Sequence, residues 1–324
     1  MNKKLQTLLL PGAALALLCA CAAETDSQDR APTLSVLTLN LHTYQELQTE
    51  GIDESQLTNE LARRRVAGYA PIFDRIAAGI ETLSPDVICL QEVGEWREGA
   101  GGDDRFGSSD SNMAGQVLSR LPAHGYEVTM DWSHIGFGVW REGAAILSRH
   151  PMLLTDARYV SRHENSRRDF WKSRNVPKAR IDVPGFGEVD VYSVHLGWWD
   201  DLEEPFAEQW DRLLAWIAED PGDVVVLCGD FNVAAGGPGY SMITTESGFD
   251  DAYLLANPGG MFDATIAGGA DGWEDAAQGR RIDYVLVNDD SGMQVTGARR
   301  VFTSAGFGQV SDHLGVYVTL ARRQ

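Results

Sequence analysis

The residues able to do chemistry stand at the ends of apolar runs. Asn40 closes SVLTL, Glu92 follows VICLQ, His195 follows VYSV, Asp230 and Asn232 close or follow VVVLCG, and Asp312-His313 precedes LGVYV. Alone, each has an ordinary reading: a strand-end carboxylate faces water or caps a helix, and an asparagine turns the chain. Together, three carboxylates, two amides and two imidazoles form a set that can hold a divalent cation and polarise a bond beside it. Hard oxygen donors of this kind suit Mg2+, with Mn2+ or Ca2+ as substitutes, and do not suit zinc. The chain has no zinc-type Cys/His spacing, no phosphate-binding Walker loop, no G-x-S-x-G elbow and no dinucleotide fingerprint.

Something must bring these residues to one place. Apolar runs at 34–39, 86–91, 126–132, 143–148, 178–183, 188–195, 223–228, 281–287 and 314–320 predict strands. Residues 56–83 have helical periodicity, broken by Pro71. Residues 112–121 predict a helix, as do 203–219, where Phe206, Trp210, Leu213, Leu214 and Ile217 share one face. Residues 95–111 are rich in Gly, Asp and Ser and predict a loop. With no internal repeat and no second linker, residues 33–324 read as one α/β sandwich domain.

Six motifs occur in order: LNLH at Asn40, LQE at Glu92, SVH at His195, GDFN at Asp230, RIDY at Asp283 and SDH at Asp312-His313. This series resembles the endonuclease/exonuclease/phosphatase superfamily of metal-dependent phosphoesterases. The resemblance implies a four-layered α/β sandwich, with two mostly antiparallel sheets face to face and helices outside. It implies that Glu92 is a metal ligand, with Asn40 nearby and Asp312 contributing directly or through water. Asp230 and Asn232 would position or deprotonate the attacking water. Asp283 would orient His313, and His195 would be the second imidazole on the phosphoryl group. Arg174, in WKSRN, lies where a phosphate-binding arginine sits in some family members. The stretches DWSHIGF, EGAAILSRHP, FWKSRN, SVHLGWWDD and DGWE look like the branch that contains maltose 6′-phosphate phosphatase. That likeness implies a small phosphomonoester such as a sugar phosphate. His42, His134, Trp198 and Trp199 are then candidate pocket residues, with Trp132, Trp171 and Trp273 in the surrounding stretches and Asp200 and Asp201 as hydroxyl acceptors. An extracellular nuclease and a sphingomyelinase-type phospholipase remain alternatives.

Composition bounds the rest. The 324-residue chain is 44% hydrophobic with 9 Trp, which excludes a wholly disordered protein. Its formal charge of −20 opposes long-range attraction to polyanions, so no stable nucleic-acid partner is expected. Lys3 and Lys4 precede a short apolar stretch ending Leu18-Cys19-Ala20-Cys21. This resembles a bacterial lipoprotein signal spanning residues 1–21, with Cys21 the lipidated residue and 22–32 a flexible tether. The expectation is an exported monomer, touching a bacterial membrane through its lipid anchor only. Cys89 and Cys228 lie in apolar runs. They read as buried free thiols, with a disulfide left open.

Overall fold

The structure is a computed structural model describing residues 32–46, 57–100, 110–268, 273 and 277–323. Cys21, its leader and residues 22–31 of the tether lie outside the described residues, as do 101–109 of the Gly/Asp stretch and most of DGWE.

Among the described residues, twelve strands build two sheets of six. The first contains β1 (Thr33–Asn40), β2 (Val87–Trp96), β3 (Glu127–Gly136), β4 (Trp140–Ser148), β11 (Met293–Val301) and β12 (Gly315–Arg322), in the order β11-β12-β1-β2-β4-β3. The second contains β5 (Met152–Tyr159), β6 (Asn175–Val183), β7 (Gly187–His195), β8 (Val224–Asp230), β9 (Phe249–Asp251) and β10 (Asp283–Asn288), in the order β5-β6-β7-β8-β10-β9. Each sheet has one parallel pair at its centre, β1 with β2 and β7 with β8, and its other pairings are antiparallel. Parallel neighbours need a crossover. Helices α1 (Asn59–Gly68) and α2 (Ala70–Leu83) supply it between β1 and β2, and α4 (Phe206–Glu219) supplies it between β7 and β8. Three shorter helices complete the set: α3 (Met113–Ser119), α5 (Pro238–Ile243) and α6 (Ala252–Ala256). Among the described residues no helix is long and apolar enough to cross a membrane.

Strand alternation makes the layers. In β8, Val224, Val226 and Cys228 face the space between the sheets, while Val225 and Leu227 join Trp210, Leu213 and Ile217 of α4. In β2, Val87 and Cys89 face the other sheet, while Ile88 and Leu90 pack with Ile72, Phe73 and Ile76 of α2. Helices, sheet, sheet and helices therefore stack in four layers, as the motif series implies. The predicted break in 56–83 falls at Tyr69, with Pro71 in the first turn of α2, where its missing N–H costs nothing.

The structure corrects three expectations. Cys89 and Cys228 are not free thiols. Their Cα atoms stand 6.3 Å apart, one from each sheet, and a disulfide joins them through the inter-sheet core. Strands β5, β9 and β11 were not expected, and all three are edge strands. An edge strand carries polar side chains and buries little, so it leaves no apolar run to detect. Finally, β2 runs on to Trp96, into the start of the presumed loop.

Candidate active site

The two parallel pairs deliver their C-terminal ends to one seam between the sheets. In register, Asn40 lies opposite Gln91, and Asp230 lies between His195 and Asp283. The Asn40 amide nitrogen donates to Glu92 Oε1 in its own sheet at 2.8 Å and across the seam to Asp230 Oδ2 at 3.2 Å. His195 Nε2 stands 3.9 Å from Glu92 Oε1 and 3.8 Å from Asp230 Oδ2. His313 Nε2 lies 3.8 Å from the same Asp230 oxygen, and its Nδ1 is 3.0 Å from Asp283 Oδ2. One step deeper, Thr38, Gln91 and Ser193 form a fully buried hydrogen-bonded chain between the sheets. Below that comes the Cys89–Cys228 bridge.

Backbone irregularities aim these side chains. The β2–β4 register slips between Leu90 and Val93, and Glu92 within that bulge adopts φ 46°. A bulge turns a side chain that regular pleating would point elsewhere. Asn232 has φ 53°, and His42, Thr43 and Tyr44 have φ of 49°, 24° and 60°. Non-glycine residues in this region are strained and persist only where the surroundings fix them. Here Asn232 is held by hydrogen bonds from its N–H to Asp230 Oδ1 and from its Nδ2 to the Leu196 carbonyl, both 2.9 Å. Thr43 is held by its hydroxyl bond to the Glu92 carbonyl at 3.0 Å. Gly229 permits the close approach of β8 to β7, since a Cβ there would lie 1.8 Å from the Val194 carbonyl oxygen.

Burial and charge set the protonation states. Burial opposes charge on His313, but its contact with Asp283 overrides burial and raises its pKa well above the ordinary range. His195 moves the other way, driven down by burial and then by Arg174, His134 and His313. One imidazole is thus held cationic and the other neutral, a division that assigns them different roles. Burial raises the Asp230 carboxyl, opposed by His313 and reinforced by Asp283 and Glu92. Crowded carboxylates beside a neutral imidazole are the donor set a hard divalent cation compensates. One oxygen or nitrogen from each of Glu92, His195 and Asp230 lies within 4.8 Å of the others.

Of the remaining expected residues, His42, Asp312, His134 and Arg174 stand within electrostatic reach of these groups, and the tryptophans are held elsewhere. Asn40 accepts from the His42 N–H through its own Oδ1 at 3.0 Å, so its amide ties the two carboxylates together. Asp312 faces His42 Nδ1 at 3.2 Å, and Glu46 reaches the same nitrogen at 2.9 Å. Burial works against a charged His42, but Glu46, then Asp312 and Glu92, lift it to about 9. His134, on β3, is driven down to about 3 by burial and by Arg174. Arg174 is 3% exposed and feels Glu92, Glu142 and Asp230. Trp198 packs against Trp171, ring centroids 5.8 Å apart, while Trp199 turns toward Phe206 and stays 40% exposed. Trp132 is a core residue beneath the Arg141 guanidinium. Asp201 is committed to Lys172 at 2.6 Å. Sequence reasoning missed Glu46, Thr43 and above all Glu142, a buried carboxylate in β4 that feels Glu92, Arg174 and His42. The one available signal was an acid inside the run WREGAAILS.

Known proteins share the family and the fold. The model of the Endonuclease/Exonuclease/phosphatase family matches residues 55–313. YbhP of Escherichia coli K12, a protein of uncharacterised function, is 31% identical over 172 residues, which are 50% of this chain and 59% of that one. A 1,4-alpha-glucan branching enzyme GlgB of Albidiferax ferrireducens is 26% identical over 125 residues, so the chain spans 19% and 59% of the length of these two curated relatives. An endonuclease/exonuclease/phosphatase family protein from Leptotrichia buccalis superposes with a TM-score of 0.71 at 23% identity, covering 89% of this chain and 99% of that one. ANGEL2, a 2′,3′-cyclic phosphatase, superposes at 0.62 and 16% identity, covering 90% and 95%. These two structural likenesses carry the fold.

Proposed function

The chain belongs to the endonuclease/exonuclease/phosphatase family, and on that premise we propose that it hydrolyses a small phosphomonoester, of the sugar-phosphate type, with the help of Mg2+. Phosphoester hydrolysis is the chemistry of the family, and the family is divalent-metal dependent. Glu92, with Asn40 beside it and Asp312 at the rim, would hold the ion. The cation would neutralise phosphoryl charge and acidify water. Asp230, with its raised proton affinity, accepts the proton of the attacking water while Asn232 orients that water. The water oxygen bonds to phosphorus in line with the ester oxygen, which departs. His313, kept cationic by Asp283, and the neutral His195 donate to the phosphoryl oxygens.

The observation behind the monoester reading is Arg174. Its Nη1 donates to the carbonyls of Trp171 and Ser173, which fixes the guanidinium, and its buried Nε has no hydrogen-bond partner among the described residues. A guanidinium pinned on one side offers its other edge to a small anion. A net charge of −20 disfavours a long polyanion at the same site. The Cys89–Cys228 bridge supports an oxidising compartment. It accords with a monomeric enzyme exported and tethered by a lipid at Cys21, with no stable nucleic-acid partner. The test is phosphate release from a panel of mono- and diesters, with and without Mg2+. Metal-dependent release from monoesters is expected. Nicking of plasmid DNA without monoester turnover would move the assignment to a nuclease.

A further inference from the structure

Glu142 has no part in the chemistry above, yet it is 8% exposed and lies beside the reacting groups. It projects from β4 and pairs in register with both Gly94 of β2 and His134 of β3. A second register slip, between Trp132 and His134, turns His134 toward it. Its Oε1 occupies the space that a Cβ on Gly136 would need, only 1.8 Å away, so the hairpin makes room for this carboxylate. The Thr43 hydroxyl lies beside it. Its Oε2 stands 3.9 Å from His134 Nε2, with one tenth of each side chain still open. That distance is too long for a direct hydrogen bond and matches two polar atoms waiting for a shared oxygen.

We propose that Glu142 and His134 form a hydroxyl-binding subsite, in which one hydroxyl of the alcohol part of the substrate bridges the carboxylate and the imidazole. A hydroxyl is both donor and acceptor, so it can pair with Glu142 Oε2 and His134 Nε2 at once. Arg174, which faces Glu142 and His134 and the metal-ligand carboxylates alike, sets the phosphoryl group next to that hydroxyl. The substrate class is therefore a polyol monophosphate. This inference rests on the phosphomonoesterase reading. A subsite built to pair a hydroxyl rejects an analogue lacking it, because the buried groups are left unpaired.

The experiment compares kcat/KM for a hexose 6-phosphate and for hexyl phosphate, in wild type, Glu142→Gln and Glu142→Met. Wild type should favour the sugar ester by at least about 100-fold. Glu142→Met, which removes the acceptor, should bring that ratio down to within about tenfold of unity. Glu142→Gln, which keeps one oxygen, should fall between, and it replaces the methionine variant if that one does not fold. Equal losses on both esters would make Glu142 a structural residue and overturn the proposal, as would a wild-type enzyme that does not discriminate. Failure of wild type to release phosphate from any monoester would instead remove the phosphomonoesterase reading itself.

Discussion

The Cys89–Cys228 bridge offers the sharpest quantitative test of the fold. It joins positions 139 residues apart, one in the central strand pair of each sheet. In the chain-entropy treatment, closing a loop of that length removes enough freedom from the unfolded state to stabilise the native one by about 5 kcal/mol at 25 °C. The perturbation is reduction, or the double change Cys89→Ala/Cys228→Ala, in a Cys19→Ser/Cys21→Ser background where these are the only cysteines. With an unfolding slope of about 3 kcal/mol per molar urea, the midpoint should fall by about 1.7 M. The alanine pair adds to that loss, since it also leaves small voids in the inter-sheet core. The reduced wild type keeps both sulfur atoms and separates the two contributions. The assay is urea unfolding followed by tryptophan fluorescence, with and without reductant, alongside thiol titration of the unfolded, unreduced chain. Two titratable thiols per chain, or a midpoint that ignores reductant, would refute the cross-link and restore the free-thiol reading.

Other expectations follow from the site. In metal-free protein His42 should make stability fall with alkali. Its folded pKa lies at about 9 against an ordinary 6.5, so its contribution, up to about 3 kcal/mol, is complete below pH 6.5 and is lost as pH rises through 9. The wild-type minus His42→Gln difference in unfolding free energy, measured from pH 6 to 10 in chelator, should shrink accordingly, and a constant difference would dismiss the ion pair with Glu46. Asp230→Ala and His313→Ala should each lower kcat by at least about 1000-fold while circular dichroism stays native, and near-wild-type turnover in either would unseat the assignment of that residue. Glu92→Ala should raise the Mg2+ concentration for half-maximal rate at least about tenfold, read from a metal titration of initial rates. Chelating the ion should abolish turnover yet leave the fold standing, because a core of this size does not depend on one ion, so a matching loss of ellipticity would contradict it. Gly229→Ala should destabilise by more than about 3 kcal/mol, since its methyl meets the Val194 carbonyl, and an unfolding midpoint close to wild type would count against the tight β7–β8 contact.

The legible parts of this molecule were those that burial writes into the chain. Central strands are apolar on both faces, so β1, β2, β7 and β8 were found together with the polar residues that end them. The helical face of α4 was found by its period, although the structure adds Gln209 and Trp216 to its buried side. Three of the four edge strands, β5, β9 and β11, were missed because they are short or exposed, and only β3 left a readable run. Glu142 was missed for another reason: its importance lies in two register slips that put His134 and Glu92 around it, and a one-residue bulge has no compositional signature. Nor does spacing reveal which way an amide points. Asn40 was expected near an ion, and only the structure shows that its oxygen accepts from the His42 N–H while its nitrogen faces the two carboxylates.

The seam has a consequence in time as well as in space. Glu92 and Asn40 come from one sheet, Asp230, His195 and Asp283 from the other, and Asn40 meets Asp230 across 190 residues of chain. Neither sheet alone carries a working half of the site. Contacts so distant in sequence form late, after the loop between them has been closed. A newly made chain is therefore inert toward phosphate esters however much secondary structure it has gained. During refolding, turnover should lag behind ellipticity, rising only when the two sheets have closed on each other.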